Sequence, residues 1–115
     1  MNQTSQLDPI PLPSSIAEAL TPLKVAVVAA SWHQEIVSAS TNAIQSEFDR
    51  QGCPPDCLEL HQVPGAFEIP LYAMRLARTG RYDSIIACGL VVNGGIYRHE
   101  FVASAVIDGL MRVQL

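Results

Sequence analysis

A run of six consecutive apolar residues, Val25–Ala30, constrains the fold of this chain more than any other feature. A strand that does not alternate between polar and apolar side chains is typical of a parallel sheet whose two faces are both covered. A similar, nearly continuous apolar run follows at Ser84–Val92. Together the two runs predict a buried parallel sheet with helices on both of its faces.

Helical and strand patterns alternate after the first run. Val37, Ile44 and Phe48 recur at helical spacing. Ser31 is either the N-cap of this helix or a loop residue, and Gly52 is the predicted C-terminal stop of the helix. The other predicted elements are a second strand at Cys57–His61, a second helix at Phe67–Arg78, a third strand at Ser84–Val92 and a third helix from Arg98 onward. This order predicts a flavodoxin-like, three-layer α/β/α sandwich with right-handed crossovers.

The two ends of the chain differ from this central pattern. Residues 1–23 contain four prolines, which remove amide donors and fix φ, and they predict an extended N-terminal arm. The domain is expected to span residues 24–115. Its last helix reaches Leu115 without a stop signal, and three strands make a small sheet. We therefore expect a domain that is incomplete at its C-terminal end, or one whose open sheet edge is covered by a partner.

The composition excludes several classes of function. Hydrophobic residues make up 49% of the chain and charged residues 16%, which excludes an intrinsically disordered chain. The formal net charge of -4 leaves no basic surplus for a nucleic-acid backbone or an anionic membrane surface. No apolar run is long enough to span a membrane, and the N-terminus lacks a signal-peptide pattern. We therefore expect a cytoplasmic protein.

Three cysteines, Cys53, Cys57 and Cys88, cannot all pair with one another, and none forms a Cys-x-x-Cys motif. We interpret them as reduced thiols of a cytosolic protein. A zinc site is the less favoured alternative, because no histidine lies at a convincing ligand spacing from them.

Aromatic and polar side chains follow the carboxyl ends of the predicted strands, where open parallel sheets bind their ligands. Trp32 offers an indole either for stacking on a flat ring or for capping a core or an interface. His33 is either a donor to a polar ligand or an exposed residue at a helix start. Glu68, in the first turn of the second helix, can interact with the helix dipole or accept hydrogen bonds from a polyol.

The segment after the third strand has the strongest combination of groups. Gly94 and Gly95 precede a helix start, whose free amides favour anions such as phosphate. Arg98 can bind phosphate through two hydrogen bonds, and His99 can transfer protons near neutral pH. The alternative is an ordinary turn followed by helix-surface residues. An aromatic residue, a carboxylate and an Arg-His pair at successive strand ends predict one shared pocket.

Four segments resemble a known enzyme family. Val63–Pro70 and Gly89–Val102 are similar to the two signatures of the 6,7-dimethyl-8-ribityllumazine synthases. Ala30–His33 and Gly109–Leu115 resemble the type II branch of that family. The resemblance covers the chain from about residue 24 to its end.

The resemblance implies a transferase of riboflavin biosynthesis that needs no metal or organic cofactor. Such an enzyme condenses 5-amino-6-(D-ribitylamino)uracil with 3,4-dihydroxy-2-butanone 4-phosphate and releases phosphate and water. The family also implies homopentamers, paired into decamers in the type II branch, with active sites between adjacent subunits. It further implies a fourth strand and a final helix that follow the part of the fold seen in this chain.

The resemblance also implies roles for individual residues. The implied substrate-binding residues are Trp32, His33, Gly65, Ala66, Phe67, Glu68, Val91, Val92, Gly95, Ile96 and Tyr97. Trp32 would stack on the pyrimidine, where most members have phenylalanine, and Glu68 would accept hydrogen bonds from the ribityl hydroxyls. Residues 95–97 would present amides to the phosphate, although Ile96 and Tyr97 replace the usual hydroxyl residues.

Arg98 and His99 are the implied catalytic residues. Arg98 falls where most members have a proton-transferring histidine, and His99 comes one position later. Either His99 reaches the substrates, or Arg98 acts electrostatically while water carries protons. Both alternatives predict an enzyme slower than the histidine-bearing members.

Two other functions are alternatives to the synthase. A non-catalytic assembly protein could bind lumazine- or flavin-like rings without converting substrates. A generic FMN-binding module is disfavoured, because no hydroxyl-rich phosphate loop follows the first strand.

Overall fold

The computed structural model describes residues 23–95 and 98–115, and the structural statements that follow concern those residues. The predicted N-terminal arm therefore lies outside the described residues, apart from its last position. Three strands form one sheet: β1 at Val25–Ala30, β2 at Leu58–Val63 and β3 at Ser84–Cys88. Their spatial order is β2-β1-β3, and both strand pairs are parallel.

Helices follow each of the three strands: α1 at Gln34–Arg50, α2 at Ile69–Arg78 and α3 at His99–Gln114. Single turns of 3-10 helix at Pro55–Cys57 and Ala66–Glu68 precede β2 and α2. α1 ends just before Gly52, whose φ of 78° is accessible to glycine without strain. This stop agrees with the sequence prediction.

The central strand β1 is buried on both faces because its side chains alternate between two core clusters. Ala26, Val28 and Ala30 pack in the cluster formed with α2 and α3. Val27 and Ala29 pack in the cluster formed with α1. Helices therefore cover both faces of a parallel sheet, and the flavodoxin-like α/β architecture predicted from the apolar runs is confirmed.

The structure decides between the two interpretations of Ser31 and corrects the end of the third strand. After β1 the chain bends toward β2, and the Ser31 amide donates to the carbonyl oxygen of Val63 at 2.7 Å. Ser31 is therefore a loop residue, and α1 begins after His33. β3 loses its hydrogen-bonding partner at the same level, so it ends at Cys88 rather than at Val92. β2 and α2 differ from their predicted ranges by only one or two residues at an end.

α2 and α3 approach each other closely where Gly109 faces Pro70. A Cβ at position 109 would lie 2.9 Å from the Cβ and 3.0 Å from the Cγ of Pro70. Pro70 stands in the first turn of α2, where a missing amide costs no intrahelical hydrogen bond. Its ring can therefore pack against α3, provided that position 109 carries no side chain.

Gly109→Ala is expected to lower the free energy of unfolding by about 1 kcal/mol. The rigid proline ring cannot move aside, so overpacking costs about 1–3 kcal/mol. The higher helix propensity of alanine offsets about 1 kcal/mol of this cost. Urea denaturation measures the change. Ser104→Ala, at an exposed position of the same helix, should raise stability slightly. A Gly109→Ala protein as stable as that control would contradict the close contact.

The thiols of the chain are buried. Cys53, Cys57 and Cys88 are all unpaired, and burial raises the pKa of Cys57 and of Cys88 above its ordinary value. A raised pKa disfavours the reactive thiolate, so Cys57 and Cys88 act as small apolar core groups. Within residues 23–95 and 98–115, no three histidine, cysteine or acidic side chains are grouped to hold a metal ion. No helix in these ranges has the length and apolar character needed to cross a membrane.

Candidate active site

A groove of about 420 Å³ opens at the carboxyl end of the sheet. Residues from the loops after all three strands and from α3 line it: Trp32, His33, Ala66, Phe67, Glu68, Leu90, Val91 and Val102. Sequence reasoning missed Leu90 and Val102, because apolar residues beside a strand and on a helix have the pattern of core residues. The other six are predicted site residues, and the fold brings them together.

A larger cavity of about 510 Å³ lies near the amino end of β3. Its lining includes Tyr82, Asp83 and Leu110 and contains none of the predicted site residues. Because ligands of open parallel sheets bind beyond the carboxyl ends of the strands, the groove at Trp32 is the better candidate site.

Backbone hydrogen bonds hold Trp32 beside the loop that follows β2. The Trp32 amide donates to the carbonyl oxygen of Pro64 at 3.0 Å, next to the bond between Ser31 and Val63. The indole itself is 65% exposed, so it does not cap the core of this chain. An exposed indole at the rim of a groove can stack on a flat ligand.

His33 adopts a left-handed backbone conformation, with φ 59° and ψ 42°, in the turn that leads from Trp32 into α1. Its carbonyl oxygen accepts hydrogen bonds from the amides of Ile36 and Val37, each at 3.0 Å. Among residues other than glycine this conformation is uncommon and strained. The strain is located directly beside the groove.

His33→Gly is expected to raise the free energy of unfolding by about 1 kcal/mol, because glycine adopts the left-handed region without the Cβ penalty of about 1–2 kcal/mol. His33→Val should lower it by a similar amount. Denaturant unfolding measures both changes. Gln34→Gly, one residue later and inside the helix, is the matched control and should be destabilising. A loss of stability in His33→Gly as large as that in the control would contradict the strain.

Glu68 is fixed by a reciprocal pair of hydrogen bonds with Gly65. The Gly65 amide donates to Oε2 of Glu68 at 3.0 Å, and the Glu68 amide donates to the carbonyl oxygen of Gly65 at 3.2 Å. The carboxylate is thereby held at the rim of the groove while it also stands at the amino end of α2, where the helix dipole favours negative charge. Both interpretations of Glu68 from the sequence therefore agree with its position.

Arg98 and His99 do not line the groove, because both interact with Glu100. Arg98 Nε lies 2.8 Å from Oε1 of Glu100, and His99 Nδ1 lies 3.2 Å from Oε2. The Arg98 guanidinium also stacks over the ring of Phe101, 4.9 Å from its centroid. The hydrogen bond from Arg98 lowers the pKa of Glu100 below its ordinary value, so this carboxylate remains ionised at neutral pH. Sequence reasoning gave Glu100 no role, although its position next to the Arg-His pair was a signal.

Arg98 nevertheless lies one helical turn from the groove. Its carbonyl oxygen accepts a hydrogen bond from the amide of Val102, which lines the groove. Of the remaining predicted site residues, Val92 and Gly95 lie in the loop before α3, outside the groove lining, and Gly95 has a φ of 79°. Ile96 and Tyr97 lie outside the described residues.

The fold and the groove define an open α/β sandwich with a groove at the carboxyl edge of its parallel sheet, the place where sheets of this kind bind their ligands. The family model of 6,7-dimethyl-8-ribityllumazine synthase matches residues 22–115. The chain belongs to that family, as the resemblance of its segments predicted. Its assignment to the type II branch stays a prediction.

Relatives named as synthases of this kind are similar over most of the chain. A 6,7-dimethyl-8-ribityllumazine synthase of Rhodococcus erythropolis is 56% identical over 92 residues, which are 80% of this chain and 59% of the relative. Two proteins named 6,7-dimethyl-8-ribityllumazine synthase 2 are each 50% identical. The one from Pseudomonas syringae pv. tomato aligns over 80% of this chain and 54% of its own length. The one from Bradyrhizobium diazoefficiens aligns over 82% and 56%. The chain thus spans little more than half the length of these relatives.

Proposed function

We propose that this chain carries the substrate groove for the condensation of 5-amino-6-(D-ribitylamino)uracil with 3,4-dihydroxy-2-butanone 4-phosphate. The product is 6,7-dimethyl-8-ribityllumazine, and phosphate and water leave. The proposal depends on one observation: Trp32 and Glu68 line the same groove at the carboxyl edge of the sheet. The names of the related synthases support the same reaction.

The pyrimidine substrate fits the described part of the groove. The Trp32 indole offers a stacking surface for the flat uracil ring. The Glu68 carboxylate can accept hydrogen bonds from ribityl hydroxyls, and charge-assisted bonds of this kind are strong. Ala66 and Phe67 provide an apolar wall beside it, and His33 is a further polar contact for the ribityl chain. Backbone groups of residues 91–92 would face the uracil edge.

The phosphate-bearing substrate would bind toward the start of α3. Backbone amides of residues 95–97 and the amino end of the helix favour an anion there. Arg98, one turn from the groove, supplies a fixed positive charge. To reach the phosphate, its guanidinium has to leave the exposed ion pair with Glu100. That change costs little, because surface ion pairs contribute only weakly to stability.

Catalysis would depend mainly on holding the two substrates in register. The 5-amino group of the pyrimidine attacks the ketone and forms an imine with loss of water; phosphate is then eliminated, and the ribityl-bearing nitrogen closes the ring with loss of a second water. Holding both reactants in the groove converts a bimolecular step into an effectively unimolecular one, and this can supply much of the rate acceleration. Proton transfer adds to it, and of the Arg-His pair only the imidazole of His99 can exchange protons near neutral pH.

Mixing both substrates with the protein tests the proposal. The lumazine product is followed by its absorbance and fluorescence. Product formation above the uncatalysed rate supports the synthase. Binding of a lumazine- or flavin-like ligand without product formation would favour the non-catalytic assembly protein. The pairing of both Arg98 and His99 with Glu100, away from the groove, gives that alternative its physical basis.

We also propose that the chain assembles as a cytoplasmic homopentamer or decamer. Large apolar side chains around the groove are more than half exposed: Trp32, Ile36, Phe67 and Phe101. A surface of this kind is typical of a protein contact. Unpaired, buried cysteines support a reducing compartment. Mass measurement by light scattering tests the assembly, and a monomer would contradict it.

A further inference from the structure

We propose that Gly65 is a positioning residue of this groove: its missing side chain seats the Trp32 indole against the loop after β2, while its amide fixes the Glu68 carboxylate. The inference deepens the proposed function, because it assigns the relative placement of the stacking surface and the ribityl acceptor to one residue. Gly65 itself does not need to touch the reacting atoms for this role.

Gly65 packs directly against the Trp32 ring. A Cβ at this position would lie 2.7 Å from Cε3 and 2.9 Å from Cζ3 of Trp32. It would also lie 3.3 Å from Oε2 of Glu68. Carbon atoms in protein interiors do not approach to such distances without displacement, because close-packed groups repel steeply below van der Waals contact. Even a methyl group at position 65 must therefore move the indole or the loop.

The backbone conformation of Gly65 does not explain why this position carries glycine. Its φ of -142° and ψ of 177° are extended values that any residue adopts. The requirement for glycine therefore comes from the side chains beside it, and the contact with Trp32 is the closest. This distinguishes Gly65 from Gly80, whose φ of 70° favours glycine but whose Cβ would meet nothing within 4 Å.

The indole, rather than the loop, is the group that would move. Gly65 is itself buried, and the loop is anchored by its hydrogen bonds to Glu68 and by Ile69, which is only 2% exposed. Trp32 is 65% exposed and can rotate outward. A methyl group at position 65 is therefore expected to displace the stacking surface while the sheet and α2 keep their places.

Intrinsic fluorescence reports the position of the indole directly, because Trp32 is the only tryptophan. Gly65→Ala is expected to shift the emission maximum and to change quenching by acrylamide. The KM for 5-amino-6-(D-ribitylamino)uracil should rise about tenfold, with a smaller change in kcat, because misplaced binding groups weaken productive binding. Gly80→Ala is the matched control: it should lose stability through its backbone strain but leave emission and KM unchanged.

A rescue experiment separates positioning from general damage. Phenylalanine has a single six-membered ring and lacks the fused part of the indole that meets position 65. In the Trp32→Phe background, Gly65→Ala should therefore raise KM much less than tenfold. If Gly65→Ala unfolds the protein by itself, restored folding in the double variant supports the same contact.

The outcomes distinguish this inference from the proposed function. Equal effects of Gly65→Ala on KM in both backgrounds, or unchanged emission in the single variant, would overturn the positioning role. If the unmodified chain forms no lumazine, the proposed function fails, and the emission and folding measurements still decide whether Gly65 seats the indole.

Discussion

Glu68→Ala is expected to raise the KM for 5-amino-6-(D-ribitylamino)uracil by roughly 10- to 100-fold. The variant loses the carboxylate that would accept from the ribityl hydroxyls, and hydrogen bonds to a charged group contribute about 1.5–3 kcal/mol each. It also loses the bond that the Gly65 amide donates to Oε2 of Glu68. The KM for the phosphate-bearing substrate should change little, because that substrate would bind at the other end of the site. Steady-state kinetics with each substrate varied in turn measures the effect.

Two variants serve as controls for Glu68→Ala. Glu68→Gln keeps an acceptor oxygen of the same size without its charge, so its KM should be intermediate. Glu35→Gln removes a glutamate in the first turn of α1, which does not line the groove. Its KM should be unchanged. Equal increases in KM for Glu68→Ala and Glu35→Gln would mean that the effect is one of overall charge.

His99→Asn is expected to lower kcat by about 100-fold, the lower end of the range for general acid-base catalysis. The arginine before it cannot replace this function, because a guanidinium stays protonated at all working pH values. Binding of the pyrimidine should be preserved, so the KM for that substrate changes little. Steady-state kinetics with the pyrimidine varied measures both the kcat and this KM.

Arg98→Lys provides the companion measurement for the catalytic pair. Lysine retains the positive charge but not the paired donors of the guanidinium, so we expect a raised KM for the phosphate-bearing substrate. An unaltered kcat in His99→Asn would show that water carries the protons and would leave Arg98 with an electrostatic role.

The sequence predicted the strands that are buried on both faces better than the loops that form the site. Val25–Ala30 agrees with β1 at both ends, because a strand covered on both faces has to be apolar throughout. The third strand was predicted four residues too long, since its last apolar residues belong to the loop beyond Cys88. Apolar character alone does not tell a strand residue from one that packs beneath a groove.

The amino-acid sequence by itself determined the order of strands and helices, the loops that carry Trp32 and Glu68, and the family to which the chain belongs. These features follow from local periodicity and from contiguous motifs, which do not depend on the rest of the fold. Only the tertiary structure decided that Gly65 leaves room for the indole and that the Arg98-His99 pair contacts Glu100 instead of the groove. The physical reason is that such contacts depend on differences of about a few tenths of an ångström in side-chain position. The packing of strands and helices sets these positions, and residue type alone does not.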